Sequence, residues 1–304
     1  MPVFLLGITM ILIDLSQTLF SVLFQNQKNG LSKDLARGMI FMTLLSYKKQ
    51  FGQRFGAPVL AIDSREGYWR RDVFEGYKAN RKRDRESNDK VDWEMFFDIA
   101  QTVTAEVQEV LPWKSVYVPK AEADDIIAVL ATQFGDNPTL ILSSDKDYKQ
   151  LHTKAGIAQY SPIMKKWINT DNPKRDLQEL ILTGDASDGI PNIRSDADSI
   201  MTGKRQLPIT KKLKEEFLDN PAKVYRDHKE RFDLNEKLID FSFIPEDIRS
   251  AILESYSRKP NGNIQKLYQF FIVKRMNRMM EDINLFKVKE GEYEAIGSTL
   301  DQYL

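Results

Sequence analysis

Residues 121–147, AEADDIIAVLATQFGDNPTLILSSDKD, decide how this chain folds. Between Glu122 and Phe134 the apolar residues recur at helical spacing, and Thr139–Ser143 is a short branched run of strand length. The helix opens on three acids, Glu122, Asp124 and Asp125, and the strand runs into two more, Asp145 and Asp147. Similar branched runs stand at Met10–Asp14, Pro58–Asp63 and Ser115–Val118, separated by helical spacing over Leu31–Phe55 and Val91–Leu111. Strands alternating with helices predict an α/β fold with a mostly parallel central sheet flanked by helices. In such sheets the ligand crevice lies at the C-terminal strand ends.

Acids stand at those ends. ILID closes on Asp14, LAID closes on Asp63, and a loop, LTGDASDG, adds Asp185 and Asp188 beside Gly184 and Gly189. Taken singly, an Asp at a strand end is a turn residue, and an acid in a first helical turn complements the helix dipole. Taken together, several strand ends and one helix start aim carboxylates at one place. Like charges that close must protonate or bind cations. With oxygen donors and neither His nor Cys among them, the ions expected are Mg²⁺, with Mn²⁺ able to substitute, rather than zinc. Ca²⁺ would bind without supporting chemistry. Two sets of acids allow two ions, one generating hydroxide and one stabilising a leaving oxygen, which is phosphodiester hydrolysis.

Composition narrows the alternatives. The 304 residues carry 44 Lys+Arg and 44 Asp+Glu, so net charge identifies no partner. No cysteine is present, which excludes disulfide frameworks, thiolate zinc sites and cysteine nucleophiles and agrees with a reducing cytoplasm. Two histidines, His152 and His228, leave little for a His-rich metal site or a serine-type triad. The opening MPVFLLGITMILID lacks a basic n-region and a cleavage site and is too short to span a bilayer. Its end reads as a buried strand, residues 1–9 receive no function, and no membrane association is expected.

Past Pro173 the strand signals fade. Asp176–Leu182, Pro208–Leu218, Asn235–Asp240, Pro245–Tyr256 and Ile264–Val273 read as short helices. The expected division is an α/β core over 1–175 and a helical nucleic-acid-binding subdomain over 176–304, with Lys287–Leu304 as a mobile tail. Within the core, REGYWRRDVFEGYKANRKRDR (65–85) sets eight Lys/Arg against four acids, with Tyr68, Trp69, Phe74 and Tyr77 interleaved. A charge run is commonly a solvated face, but cations among aromatics suit phosphate contact with base stacking. This basic arm, about 65–92, would overhang the acidic crevice, and Lys82–Lys90 is polar enough to be disordered without substrate.

LIDLSQ, AIDSREGYWRRD, YKANR, AEADDIIAVLA, LILSSDKDYKQLH, QYSPIMKKW and LTGDASDGIPN occur in this order over about residues 10–195. In them the chain resembles the 5′-nuclease (flap endonuclease) superfamily, in particular its T-even-type bacteriophage ribonuclease H branch, and a weaker likeness continues to about 285. The resemblance implies a PIN-like core and a helix–loop–helix DNA-binding element. It implies one metal ion served by Asp14, Asp63, Glu122 and Asp124, and another by Asp125, Asp145, Asp147, Asp185 and Asp188, some through water. Lys78 and Arg81 match the family's bridge-region cations, which steer the scissile phosphate. Tyr77 would stack or line the passage and Arg70 would support phosphate binding. The implied substrates are RNA–DNA hybrids and flapped or nicked duplex DNA, cut from 5′ ends to remove primers during phage replication, in the host cytoplasm. Implied partners are a single-strand-binding protein and, through 298–304 (STLDQYL), a sliding clamp; nothing demands an oligomer.

Two departures stand out. Where relatives have GDxSDN, Gly189 replaces the Asn, and the glycine-rich hairpin that follows in many of them is absent. Lys204, Arg205, Lys211 and Lys212 remain available for phosphate contact there, without a predicted monovalent-ion site. The first nine residues also lack the start typical of relatives. Two other readings fit the residues less well. An aspartyl phosphatase needs a second Asp two positions after the nucleophile, and Ser16 stands there. A non-catalytic DNA-structure-binding protein would have no reason to keep nine acids that repel one another.

Overall fold

Strands covered by helices on both faces must be apolar at every position. β1 (Met10–Asp14) and β2 (Ala57–Ile62) are buried throughout. With β3 (Lys114–Tyr117), β4 (Thr139–Leu142), β5 (Ile157–Ser161) and β6 (Lys166–Ile168) they build one sheet in the order β3-β2-β1-β4-β5-β6. β1 to β5 run parallel and β6 is antiparallel at the edge. The computed structural model describes residues 9–27, 30–87, 90–289 and 291–293.

The helices are α1 (Leu15–Asn26), α2 (Lys33–Phe55), α3 (Trp69–Val73), α4 (Asn80–Glu86), α5 (Trp93–Val110), α6 (Ala123–Phe134), α7 (Pro173–Thr183), α8 (Lys211–Asp219), α9 (Pro221–Ile239), α10 (Glu246–Ser257), α11 (Ile264–Val273) and α12 (Asn277–Glu281). Successive side chains of a strand point to opposite faces. Ile11 and Ile13 therefore join Phe41, Leu44, Val103 and Phe271 on one face. Met10 and Leu12 join Ile127, Leu130 and Ile252 on the other. Side-chain caps start the helices where the sequence changes character: Ser32 for α2, Asp92 for α5 and Asn172, followed by Pro173, for α7.

All four strands read from the sequence are present within one or two residues. β5 and β6 extend the sheet beyond them, and α1 follows β1 without a break. Of the stretch Lys82–Lys90, expected to lack order before substrate arrives, residues 82–86 belong to α4 (Asn80–Glu86), and residues 88–89 lie outside the described residues.

The second half does not stand apart as one subdomain. Among the described residues, α7, α8 and α9 build a cluster of their own, around Leu182, Ile193, Phe217 and Val224. α10 packs on α6 and β3, while α11, α12 and Phe286 fill the face formed by α2 and α5. Trp113 Nε1 donates to Phe286 O at 2.9 Å. The expected mobile tail begins docked: Lys114 N donates to the Tyr293 hydroxyl at 3.3 Å, and that hydroxyl donates to Pro58 O. Residues 298–304, expected to meet a clamp, lie outside the described residues. Among the described residues no helix is long and apolar enough to cross a membrane.

Candidate active site

Strand order reverses between β2-β1 and β4-β5, so the crevice of this sheet opens at the carboxyl ends of β1 and β4. Asp14 ends β1 and caps α1, accepting from Gln17 N at 2.8 Å. Asp63 follows β2 and accepts from Ala123 N at 2.9 Å, which ties that strand end to the start of α6. Asp124 lies in the first turn of α6 and accepts from the Tyr148 hydroxyl at 2.6 Å. Asp145, past β4, accepts from Asp147 N at 2.9 Å. One groove is lined by Asp14, Asp63, Asp124 and Asp145, and by Lys78 and Arg81 of the arm.

The acids sense one another. Burial, then Asp63, pushes the Asp14 carboxyl up to about 7. Burial, then Asp145 and Asp14, holds Asp124 far above the usual carboxylate range. Asp147 is pushed up to about 8 by burial, Asp145 and Asp185. Burial raises Asp145 as well, and Asp188 and Asp185 add to it. Asp185 moves the other way: burial opposes it, but Ser187 and Lys146 (3.1 Å) keep it ionised. Elevated carboxyls in a shared field fit divalent cations, which remove both the repulsion and the desolvation cost. Asp147 Oδ1 is buried and meets no protein donor. Among the described residues, however, no three acids already enclose a position for one ion.

Glu122 and Asp125 have a different setting. Glu122 N donates to Asp125 Oδ2 at 2.9 Å in a reciprocal box at the start of α6. Trp69 Nε1 donates to the same oxygen at 3.0 Å, and Arg70 Nη1 lies 2.8 Å from Asp125 Oδ1 and 3.0 Å from Glu122 Oε2. Glu122 also accepts from Lys78 Nζ and, at 2.8 Å, from the Tyr77 hydroxyl. Burial would raise Glu122, yet Lys78 and Arg70 bring it below its ordinary value. Asp125 is fully buried, with both oxygens against protein cations and donors. Expected as a ligand of the second ion, it lies beneath the groove instead.

The arm is likewise placed differently from expectation. Arg70 and Tyr77 are 3% and 2% exposed, so neither reaches phosphate nor offers a ring to a base. Arg70 Nε donates to Leu238 O at 2.8 Å, fastening the arm to α9. Lys78 adopts φ 56° and its backbone N donates to Asp188 O at 2.7 Å. Arg81, still exposed, pairs with Asp188 at 2.5 Å. This close approach accounts for Gly189: at φ +75° any Cβ would come 2.4 Å from Gly76 O. Lys204, Arg205, Lys211 and Lys212 are exposed, but none lines the groove. Lys204 pairs with Asp198, and the helix–loop–helix expectation resolves into α7, a 3₁₀ turn at Ala186–Asp188 with further turns and irregular chain to 210, then α8. Tyr148 is the residue that sequence reasoning quoted without giving it a part.

Residues 9–179 match the family described as 5′-3′ exonuclease, N-terminal resolvase-like domain. The chain belongs to this family. Residues 171–286 match a second family, T4 RNase H, C terminal. The ribonuclease H of Enterobacteria phage T4 is 33% identical over 293 residues, covering 90% of this chain and 95% of that protein. A 5′-3′ exonuclease of Mycoplasmopsis pulmonis is 27% identical over 143 residues, 44% of this chain and 45% of its own length. Among solved structures, the flap endonuclease of bacteriophage T5 with DNA and metal ions superposes with a TM-score of 0.57 at 16% identity, covering 91% of this chain and 98% of that one. A T5 5′-exonuclease with bound zinc reaches 0.55, also at 16% identity, covering 92% and 99%. At such identity the T5 structures show a shared fold. This 5′-3′ exonuclease family member thus carries a nuclease-family core with a ribonuclease H-type C-terminal region.

Proposed function

We propose that the protein is a two-metal 5′→3′ exonuclease and flap endonuclease with ribonuclease H activity, using Mg²⁺ with Mn²⁺ able to substitute. Its substrates would be RNA–DNA hybrids and flapped or nicked duplexes, from which it removes RNA primers and adjoining DNA. The observation that carries this reading is the single groove in which Asp14, Asp63, Asp124 and Asp145 face Lys78 and Arg81. Bound divalent ions would supply water activation and charge neutralisation at the leaving oxygen. Asp14, Asp63, Asp124 and Asp145 would hold one, and Asp147, Asp185 and Asp188 the other. Arg81, exposed and tied among the described residues to Asp188 and the Ser187 carbonyl, would exchange that partner for a phosphate. Lys78 sits deeper, against Glu122, and fixes the distance between arm and acids. The ribonuclease H of phage T4, 33% identical, supports a nuclease acting in a phage-infected cell; primer removal in the host cytoplasm and a single-strand-binding protein as partner are part of this proposal.

A binding-only protein would keep the basic arm and lose the chemistry. Cleavage of a 5′-labelled flap and of an RNA-primed duplex, each with Mg²⁺ and with EDTA, separates the two. Asp124→Asn should abolish cleavage and retain substrate binding, because a groove-facing carboxylate goes and the arm stays. Wild-type levels of cleavage in that variant would overturn the site.

A further inference from the structure

The acidic groove becomes aromatic at one side. Phe24 of α1 with Trp93 and Phe97 of α5 line the same groove as Asp14, Asp63 and Asp124. Phe24 and Phe97 are 39% and 43% exposed. Trp93 and Phe97 lie nearly parallel, centroids 6.1 Å apart and planes at 29°, and Phe24 meets Trp93 edge-on at 5.6 Å. The buried ring of Phe96 packs edge-on against Phe24 at 5.3 Å and anchors the group to the core. Large rings held rigidly by a buried neighbour yet left half in water mark a surface that something else covers.

The arm shows what that occupant is. Arg65, Arg71, Lys82 and Arg85 line the groove with these rings, and the Arg85 guanidinium lies 5.4 Å from the Phe97 centroid. A partner that suits cations on one wall and flat apolar rings on the other carries phosphates on one edge and unshielded planar groups on the other. Single-stranded nucleic acid does; a duplex hides its bases, and an apolar peptide leaves the cations unmatched.

We propose that Phe24, Trp93 and Phe97 form a stacking wall for unpaired bases of the 5′ strand near the cleavage position. This rests on the nuclease reading above and deepens it: the wall selects substrates by the bases of their flap, where the acids and the arm read only phosphates. Each stacked base is worth on the order of tenfold in affinity.

The test compares a short single-stranded 5′ flap with an abasic flap of equal length and charge, by fluorescence anisotropy in Ca²⁺, with Mg²⁺ cleavage of both run alongside. Wild type should bind the base-bearing flap about tenfold tighter or more. The pair Phe24→Leu and Phe97→Leu keeps apolar bulk and removes two of the three ring faces, and the preference should fall severalfold; the alanine pair should do the same. A wild-type ratio near one, or an unchanged ratio in the folded leucine variant, overturns the wall while leaving the nuclease intact. Wild type that neither binds nor cuts any flap overturns the nuclease reading, and the wall with it.

Discussion

Arg70→Met separates a structural arginine from a phosphate-binding one. In the structure Arg70 is 3% exposed and lies between Glu122 and Asp125, themselves 1% and 0% exposed. Removing one partner from such a buried group leaves charge uncompensated, which costs about 3–5 kcal/mol. Lys78 still serves Glu122, and Asp125, already raised by burial against the pull of Arg70, can take up a proton. The lower end, about 3 kcal/mol, is therefore expected, or a melting temperature lower by roughly 5 °C. Adding Asp125→Asn to Arg70→Met should recover part of this loss, since the carboxylate left without a cation is then gone and Glu122 keeps Lys78. A phosphate ligand would behave differently: its removal lowers the salt slope of substrate binding by about 0.7–0.9. For Arg70 the slope should stay as in wild type. The assay pairs thermal melts in EDTA with flap binding across a salt series. A melting temperature within about 2 °C of wild type, or a slope lowered by nearly one, would refute this placement.

Lys78→Ala with Arg81→Ala should weaken turnover and flatten its salt dependence, and an unchanged slope would show that the arm holds no phosphate. Metal removal should make stability pH-dependent. Asp14 lies at about 7 in the folded chain against 3.8 for a free side chain, so between those values the native state keeps a proton that the unfolded chain has lost. Stability in EDTA should then fall as pH rises across that window, by on the order of 4 kcal/mol for this group. With Mg²⁺ the carboxylate form is bound and the fall should vanish; melts in EDTA that are flat from pH 5 to pH 7 would count against the site.

The acids at strand ends were legible because a strand's end in a parallel sheet is defined by the sheet itself. Asp14, Asp63 and Asp145 needed only short branched runs to be placed. Asp124 and Asp125 were not separable in the same way. Adjacent residues on a helix point about 100° apart, so one faces the groove and the other the core, and which is which depends on how α6 docks. Arg70 and Tyr77 were misplaced for a related reason. A cation beside an aromatic looks alike on a surface and in a core until the partner arrives, and Glu122 stands more than 40 residues later in the chain. β6, with only Ile168 not exposed along it, has no alternation to detect. α1 was hidden because its apolar residues continue those of β1 through Asp14.

Arg70, Tyr77 and Asp125 all meet at one residue, and it bears on how the site works. Glu122 was expected to be one metal ligand among nine acids. It is instead where the arm and the acidic groove meet, accepting from Tyr77, Lys78 and Arg70 while starting the helix that presents Asp124. A carboxylate so heavily paired stays ionised when Asp14 and Asp124 do not. Its charge is thus spent on holding Lys78 near the acids, where, unpaired, a lysine this deeply buried would lose its proton. The groove keeps its cation and its protonatable acids side by side because a second carboxylate, one layer down, stabilises the cation in the absence of metal.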